Sequence, residues 1–333
     1  MSDLAIIWGA ILAFAVYAYV VLDGFDLGIG ILAPSARSDA EEETMINAIA
    51  PVWDGNETWL VLGGGGLLAA FPLAYAILLP ALYAPLIAML LALIFRGVAF
   101  EFRHRNEAHR RGWTWGFVVG SFVATFAQGV ALGTFVQGIE VDGRAYGGGW
   151  FDWLTPFSLF TGLALLFGYA LLGACFLIMK TDGELQARMF RLALPLGAAV
   201  LAAIAAVSLW TPFLGAAIAE RWFSWPNIAY LSPVPLLVAA LALGFYRSVK
   251  ARRERWPFVI AILIFLVSYA GLGISMFPYV VPRSVTIWDA AAPDDSLAFL
   301  LVGTAVLVPV ILAYTGYSYW VFRGKVHPQH GYH

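Results

Sequence analysis

The chain is 333 residues long, 61% hydrophobic and 12% charged, with a formal charge of -2 and a mean hydropathy of +0.81. A soluble domain carries about 25% charged residues, so this composition excludes a water-soluble globular protein, and no nucleic-acid partner is expected. Cys175 is the only cysteine, which excludes an intrachain disulfide and any CxxC motif.

The apolar residues come in runs of about twenty, the length a helix needs to cross about 30 Å of hydrocarbon. In chain order they predict an all-α polytopic membrane protein of about nine transmembrane helices, forming a single integral membrane domain over 1–333. The predicted spans are 4–33, 45–71, 73–95, 114–139, 155–179, 190–210, 226–246, 257–281 and 296–322. Met1-Ser2-Asp3-Leu4 lacks the basic region of a cleaved signal, so the first run reads as a retained span. Breakers such as Gly147-Gly148-Gly149, Pro212, Pro226 and Pro293 fall between the later spans.

Lysine and arginine test this arrangement. The loops after helices one, three, five and seven, with the C-terminal tail, hold every one of them except Arg144, Arg221 and Arg283. Arg96 is counted here with Arg103, Arg105, Arg110 and Arg111, in the loop after helix three. Positive charge marks the cytoplasmic side, which predicts the N-terminus outside and the C-terminus cytoplasmic. The other side carries Trp150, Trp153, Trp222, Trp225 and Trp288 beside several aspartates, an interfacial belt.

Acids interrupt the first two helices. Asp23 and Asp26 lie in DGFDLGIG, and Asp54 and Glu57 in PVWDGNETW. Each pair is spaced i, i+3 and shares a helical face, and both pairs fall in the cytoplasmic halves of their spans. An ionised acid near a bilayer centre costs about 2.5–3.5 kcal/mol on insertion scales. Such groups are therefore hydrated, hydrogen-bonded or protonated. Two readings stand: proton or ion conduction, or a structural role in capping, pairing with Arg on a neighbouring helix, or a subunit contact. Gly24 and Gly28 form a small-xxx-small pair for close helix approach, and the Gly63-Gly64-Gly65-Gly66 run reads as close packing too. Gln128 and Gln137 are further polar groups in a span.

The histidines are His104, His109, His327, His330 and His333, all placed in a loop or the tail. A membrane haem usually needs an intramembrane His. The chain is therefore expected to ligate no haem and no metal.

These stretches resemble subunit II of the cytochrome bd-type quinol oxidases, bacterial terminal oxidases of the cytoplasmic (inner) membrane. The resemblance rests on residues 23–30 (DGFDLGIG) and 47–59 (NAIAPVWDGNETW), and on Phe95-Arg96 with Glu101 and Arg103 beyond. It also rests on 273–278 (GISMFP), on Trp288-Asp289-Ala290 and on 308–312 (VPVIL), so it runs from the first helix to the last. It implies an obligate heterodimer with a haem-bearing subunit I, which carries b-type and d-type haems. The complex would oxidise quinol on the outer side, reduce O₂ to water with cytoplasmic protons, and generate proton motive force in the respiratory chain. This chain would have no catalytic residue of its own. By the same resemblance Asp26 and Asp54 match acids proposed for a proton path toward subunit I, and Asp23 lies in the same motif. Glu57 stands where family members vary. Some members hold a structural quinone in subunit II, and Trp53 is the aromatic residue expected beside it. Lipids, and in some complexes small single-helix subunits, are further partners.

Two other readings compete: a secondary transporter with the intramembrane carboxylates as its ion site, and a scaffold in which the acids only join helices. Transporters commonly show inverted repeats, and none is visible here. A reduced-minus-oxidised spectrum of the affinity-purified chain separates the first two. Haem bands of b and d type are expected only when a larger partner copurifies, whereas a chain stable alone and free of haem favours the transporter.

Overall fold

The fold is described from a computed structural model covering residues 3–105 and 109–326. The long apolar α1 (Asp3–Leu32) runs into a single 3-10 turn at Ala33–Ser35. The short, polar α2 (Asp39–Asn47) is started by Ser38, whose hydroxyl accepts from the Glu41 amide at 3.2 Å. Turns around Pro51 separate it from α3 (Trp53–Ala70). Then come α4 (Pro72–Ala81), α5 (Tyr83–Arg105) and α6 (Arg110–Gln137). A hairpin of β1 (Val141–Asp142) and β2 (Ala145–Tyr146) follows, with Val141 opposite Tyr146. The next helix, α7 (Pro156–Lys180), opens on a capping box between Thr155 and Ser158, with proline at a first-turn position that needs no amide donor.

The remaining helices are α8 (Gly183–Trp210), α9 (Ala216–Phe223), α10 (Asn227–Leu231), α11 (Pro233–Lys250) and α12 (Trp256–Met276). A second hairpin, β3 (Tyr279–Val281) with β4 (Val285–Thr286), leads to α13 (Ile287–Ala290) and α14 (Asp294–Val321).

The all-α polytopic expectation holds, with changes in detail. Among the described residues eight helices are long and apolar enough to cross a membrane: 3–35, 83–103, 110–137, 156–180, 183–214, 227–250, 256–276 and 294–321. The expected span 45–71 divides into α2, a break and α3, and the acids and Asn56 that open α3 set it apart from those eight. The expected span 73–95 is displaced toward the C-terminus. Pro72 starts the short α4, and the chain leaves helical geometry at Leu82 before α5 begins. The eighth span stops at Met276 rather than 281, where the chain enters β3.

The centre of the bundle is the contact of α1 with α7, where a run from Leu166 to Ile178 is almost continuously buried. Gly28 makes that contact possible: a methyl there would overlap the Tyr169 carbonyl oxygen, while a Cβ on Gly173 would stand 2.6 Å from the Gly28 carbonyl carbon. Gly24 also faces Tyr169, so the small-xxx-small pair does serve close approach. The four-glycine run of α3 does so only in part. A Cβ at Gly66 would meet Leu12 at 2.6 Å, but Gly64 and Gly65 have nothing within 4 Å. At the periphery α14 is nearly bare, with Leu297 its one buried residue.

One end of the bundle is basic and stitched by ion pairs across α2. Arg103 on α5 donates to Glu42 at 2.8 Å and Glu43 at 3.0 Å, Arg110 on α6 pairs with Glu43, and Arg188 on α8 pairs with Glu41 at 2.7 Å. The hydrogen bond from Arg188 holds the Glu41 carboxyl below its ordinary range. The chain end 322–326 is strapped to the same face. The Val326 amide donates to Lys180 O at 2.8 Å, and Lys325 Nζ reaches Asp182 at 2.5 Å and Glu254 at 3.0 Å. At the other end Trp8 Nε1 donates to Leu297 O at 3.0 Å, the Ala292 amide to Ala70 O at 2.9 Å, and Arg283 to the Leu214 carbonyl. Residue 8 and residue 326 therefore lie at opposite ends.

The glycine contacts give a direct test. Gly28→Ala is expected to cost about 1–3 kcal/mol or more by overpacking, read as a lower melting temperature or lost accumulation in detergent. Gly64→Ala should leave the fold of this chain unchanged in the same assay.

Candidate functional site

The last third of α1 carries the acids. Phe25 stacks on Phe176 of α7 at 4.1 Å and meets Phe258 of α12 edge-on at 5.7 Å, which fixes the rotation of α1 about its axis. With Phe25 so placed, Asp23 and Asp26 are both fully buried. Glu57, on the second turn of α3, is half-buried beside them.

The group that joins them is Arg96, in the body of α5 and fully buried. Its Nη1 lies 2.7 Å from Glu57 Oε1 and 3.7 Å from Asp23 Oδ1. The guanidinium stands 5.3 Å from the Trp53 ring and 5.8 Å from the Phe117 ring, so aromatic faces cover the charge where carboxylates do not. Asn56 extends the cluster: its Nδ2 donates to Asp26 Oδ2 at 2.7 Å and to Leu22 O at 3.3 Å, and its Oδ1 accepts from the Tyr319 hydroxyl of α14 at 2.9 Å. On the other side Tyr169 donates to Gln128 Oε1, and Gln128 Nε2 to the Tyr19 hydroxyl, each at 2.8 Å. Hydrogen-bonded side chains thus tie α7 and α6 to α1 in one chain, and α14 and α3 to α1 in another.

The cluster is not saturated. Both carboxylate oxygens of Asp23, Oδ1 of Asp26, and Nε and Nη2 of Arg96 are buried with no hydrogen-bond partner among the described residues. Buried polar atoms are nearly always bonded to protein or to ordered water, so these are the atoms of the cluster that ordered water would satisfy. Three acids beside one guanidinium can hold and hand on a proton, while the fixed positive charge offsets one of them.

The structure sorts the expected site residues. Asp23, Asp26 and Glu57 converge; Asp54 does not, and faces outward from α3, exposed. Trp53 lies against Arg96 and Phe100, its ring 5.2 Å from the latter. Pairing with Arg on a neighbouring helix, one of the structural readings, is what Asp23 and Glu57 do. Arg96 itself is a correction, because the charge count had put it in a loop. Apolar residues on both sides of it, Leu90 to Phe95 and Val98 to Phe100, are the signal of its burial. Tyr19, Tyr169 and Tyr319 carry no such local signal.

Two cavities lie elsewhere. A cleft of about 450 Å³ between α1 and α14 is lined by Ile7, Phe14, Leu62, Leu301 and Val308, and one of about 540 Å³ by Arg221, Asn227, Tyr230 and Phe277. Neither touches Trp53 or the acids.

His109, the one histidine whose side chain is described, sits at the start of α6 on the basic end. Among the described residues no group of three or more His, Cys, Asp or Glu could hold a metal ion. His327, His330 and His333 lie outside the described residues.

Residues 4–322 match the family model of cytochrome bd terminal oxidase subunit II. The chain belongs to that family. It is 32% identical over 360 residues to cytochrome bd-I ubiquinol oxidase subunit 2 of Escherichia coli K12, covering 97% of this chain and 95% of that one. It is 28% identical to cytochrome bd ubiquinol oxidase subunit 2 of Bacillus subtilis 168, covering 98% of each. The fold is similar to that in the bd oxidase structure from Geobacillus thermodenitrificans, with a TM-score of 0.75 at 16% identity, over 96% of this chain and 99% of that one. As a subunit II, the chain is a multi-pass membrane protein of a haem-containing terminal oxidase complex and has a subunit I as partner.

Removing one member of a buried ion pair costs about 3–5 kcal/mol. Arg96→Leu in this subunit II is therefore expected to lower the melting temperature of the solubilised complex sharply. Arg96→Lys should rescue it only in part, because an ammonium keeps the charge but lacks the planar, weakly hydrated group that the Trp53 and Phe117 rings cover.

Proposed function

We propose that this subunit II packs against the haem-bearing subunit I of a quinol:O₂ oxidoreductase and lines a proton path from the cytoplasm, with no independent catalysis. One observation carries the reading: Asp23 and Glu57 meet Arg96 inside the bundle, with Asp26 buried one turn beyond Asp23, while Asp54, one turn from Glu57, faces out of it. Buried carboxyls can take up and release protons, and an acid on the outer face of α3 can pass them to a neighbouring subunit. The complex would oxidise quinol, reduce O₂ to water and generate proton motive force in the bacterial inner membrane.

The orientation follows from charge. The end bearing Arg103, Arg110, Arg188 and Lys325 is the cytoplasmic one under the positive-inside bias, which puts the N-terminus outside. Eight crossings would return the chain to the end where it began. Since residues 8 and 326 lie at opposite ends, α3 is assigned as a ninth crossing of a single membrane domain. Its 18 residues rise about 27 Å, close to the hydrocarbon thickness. Trp53 is the aromatic residue that a structural quinone would meet, and the bare apolar faces are left for subunit I, lipid and any small single-helix subunit.

Asp54→Asn and Asp26→Asn are expected to assemble with near-normal haem content while quinol oxidation falls several-fold. Loss of the haem spectra in the purified variants would overturn this reading in favour of a scaffold.

A further inference from the structure

Asn56 is 1% exposed and uses its whole amide. An asparagine amide has two donor hydrogens and one carbonyl acceptor. Here both hydrogens go to α1, to Asp26 Oδ2 and Leu22 O, so the carbonyl oxygen must point away from α1 and requires a donor from elsewhere. Among the described residues Tyr319 is the donor, at 2.9 Å. The reverse amide orientation would set Oδ1 against the Leu22 carbonyl, an acceptor facing an acceptor. The Tyr319 ring is set in turn by Phe25, which it meets edge-on at 6.4 Å.

The place of Tyr319 depends on little else within α14, a helix with one buried residue. One turn further on, the chain is fastened. Lys180 donates to the Phe322 carbonyl, the Val326 amide returns to Lys180 O at 2.8 Å, and Lys325 spans Asp182 and Glu254. The hydrogen bonds from Lys325 and Gln186 hold the Glu254 carboxyl below its ordinary range, so this strap keeps its charges through neutral pH. It sets the height and rotation of the last turn of α14, and hence where the Tyr319 hydroxyl falls.

We propose that Tyr319 is a positioning residue for the buried acids: its hydroxyl holds the Asn56 amide on Asp26, and so couples the strapped end of α14 to the cluster. The proposal rests on the proton-path reading for its functional consequence and on the geometry alone for the tie itself. The charged and titratable groups around Asp26 are Asp23 on its own helix, Glu57 on α3, Arg96 on α5 and Tyr319 on α14, with Tyr19 and Tyr169 beyond Asp23. Tyr319 acts on Asp26 only through Asn56.

The test uses the assembled complex and the variants Tyr319→Phe, Asp26→Asn and the two combined. Phenylalanine keeps the ring against Phe25 and removes only the hydroxyl. Tyr319→Phe is expected to assemble with normal haem content, to oxidise quinol about two- to tenfold more slowly, the worth of one hydrogen bond, and to show a displaced pH profile. In the Asp26→Asn background it should add nothing. A Tyr319→Phe profile identical to the wild type, with Asp26→Asn slow, overturns the proposal and leaves the proton path standing. An inert Asp26→Asn in the assembled enzyme removes the proton path instead. Melting temperatures of Tyr319→Phe, Asn56→Ala and the double variant then decide the tie: less-than-additive losses support it, and additive losses overturn it.

Discussion

A guanidinium placed inside a membrane bundle has to be answered by its neighbours, and in this protein the answer organises the first half of the chain. Arg96 is fully buried in α5, and a charge near the bilayer centre left alone costs about 2.5–3.5 kcal/mol even on lenient scales. Glu57 answers it from α3 at 2.7 Å, Asp23 from α1 at 3.7 Å, and the Trp53 and Phe117 rings cover its remaining faces. These demands explain why α3 starts polar. A helix that began with leucines at Trp53 to Glu57 would span the membrane more easily, but would leave Arg96 only the more distant Asp23 as a counter-charge.

The acids in turn require α1 to be held in one rotation and at one depth, and apolar contacts do this. Gly28 and Gly173 bring the α1 and α7 backbones together, and Phe25 locks between Phe176 and Phe258. Small residues and interlocked rings are a rigid joint where lipid supplies no hydrophobic drive for helix association. A carboxylate in such a joint keeps a fixed relation to its donors, as a group that exchanges protons along a defined route requires. The periphery has another character. The helices α8, α11, α12 and α14 show most of their surface, and the two ends of the bundle, one stitched by ion pairs and one by hairpins and carbonyl contacts, carry much of their registration.

The separation of Asp54 from the other acids gives the membership of the subunit II family a physical meaning. An exposed carboxylate on a membrane helix, beside glycines whose faces are open, is an unfavourable surface for lipid tails and a reasonable one for a subunit interface. The same chain therefore holds an internal, Arg-centred cluster and an acid that looks outward, on consecutive turns of α3. In the proposed proton path that division would separate uptake from transfer to a partner.

Much of this was legible in the residues themselves. Runs of apolar residues announce a bundle of long membrane helices because the hydrocarbon thickness sets their length, and the bias of Lys and Arg marks the basic end because charges partition by side. The unusual acids of DGFDLGIG and PVWDGNETW announce a site because a charge in a span needs a reason. What these signals lack is direction around the helix axis. Hydropathy counted Arg96 as an end-of-helix charge, gathered Asp54 with Asp23, Asp26 and Glu57, and joined α2 to α3 as one span. It was silent on Tyr319, more than 260 positions from the Asn56 it bonds. Composition and spacing determined that this chain is a sided membrane bundle with acids in its first helices. Only the packing of α1 against α3 and α14, with Arg96 reaching in from α5, decided which of them meet, because that depends on rotations and contacts among residues far apart in sequence.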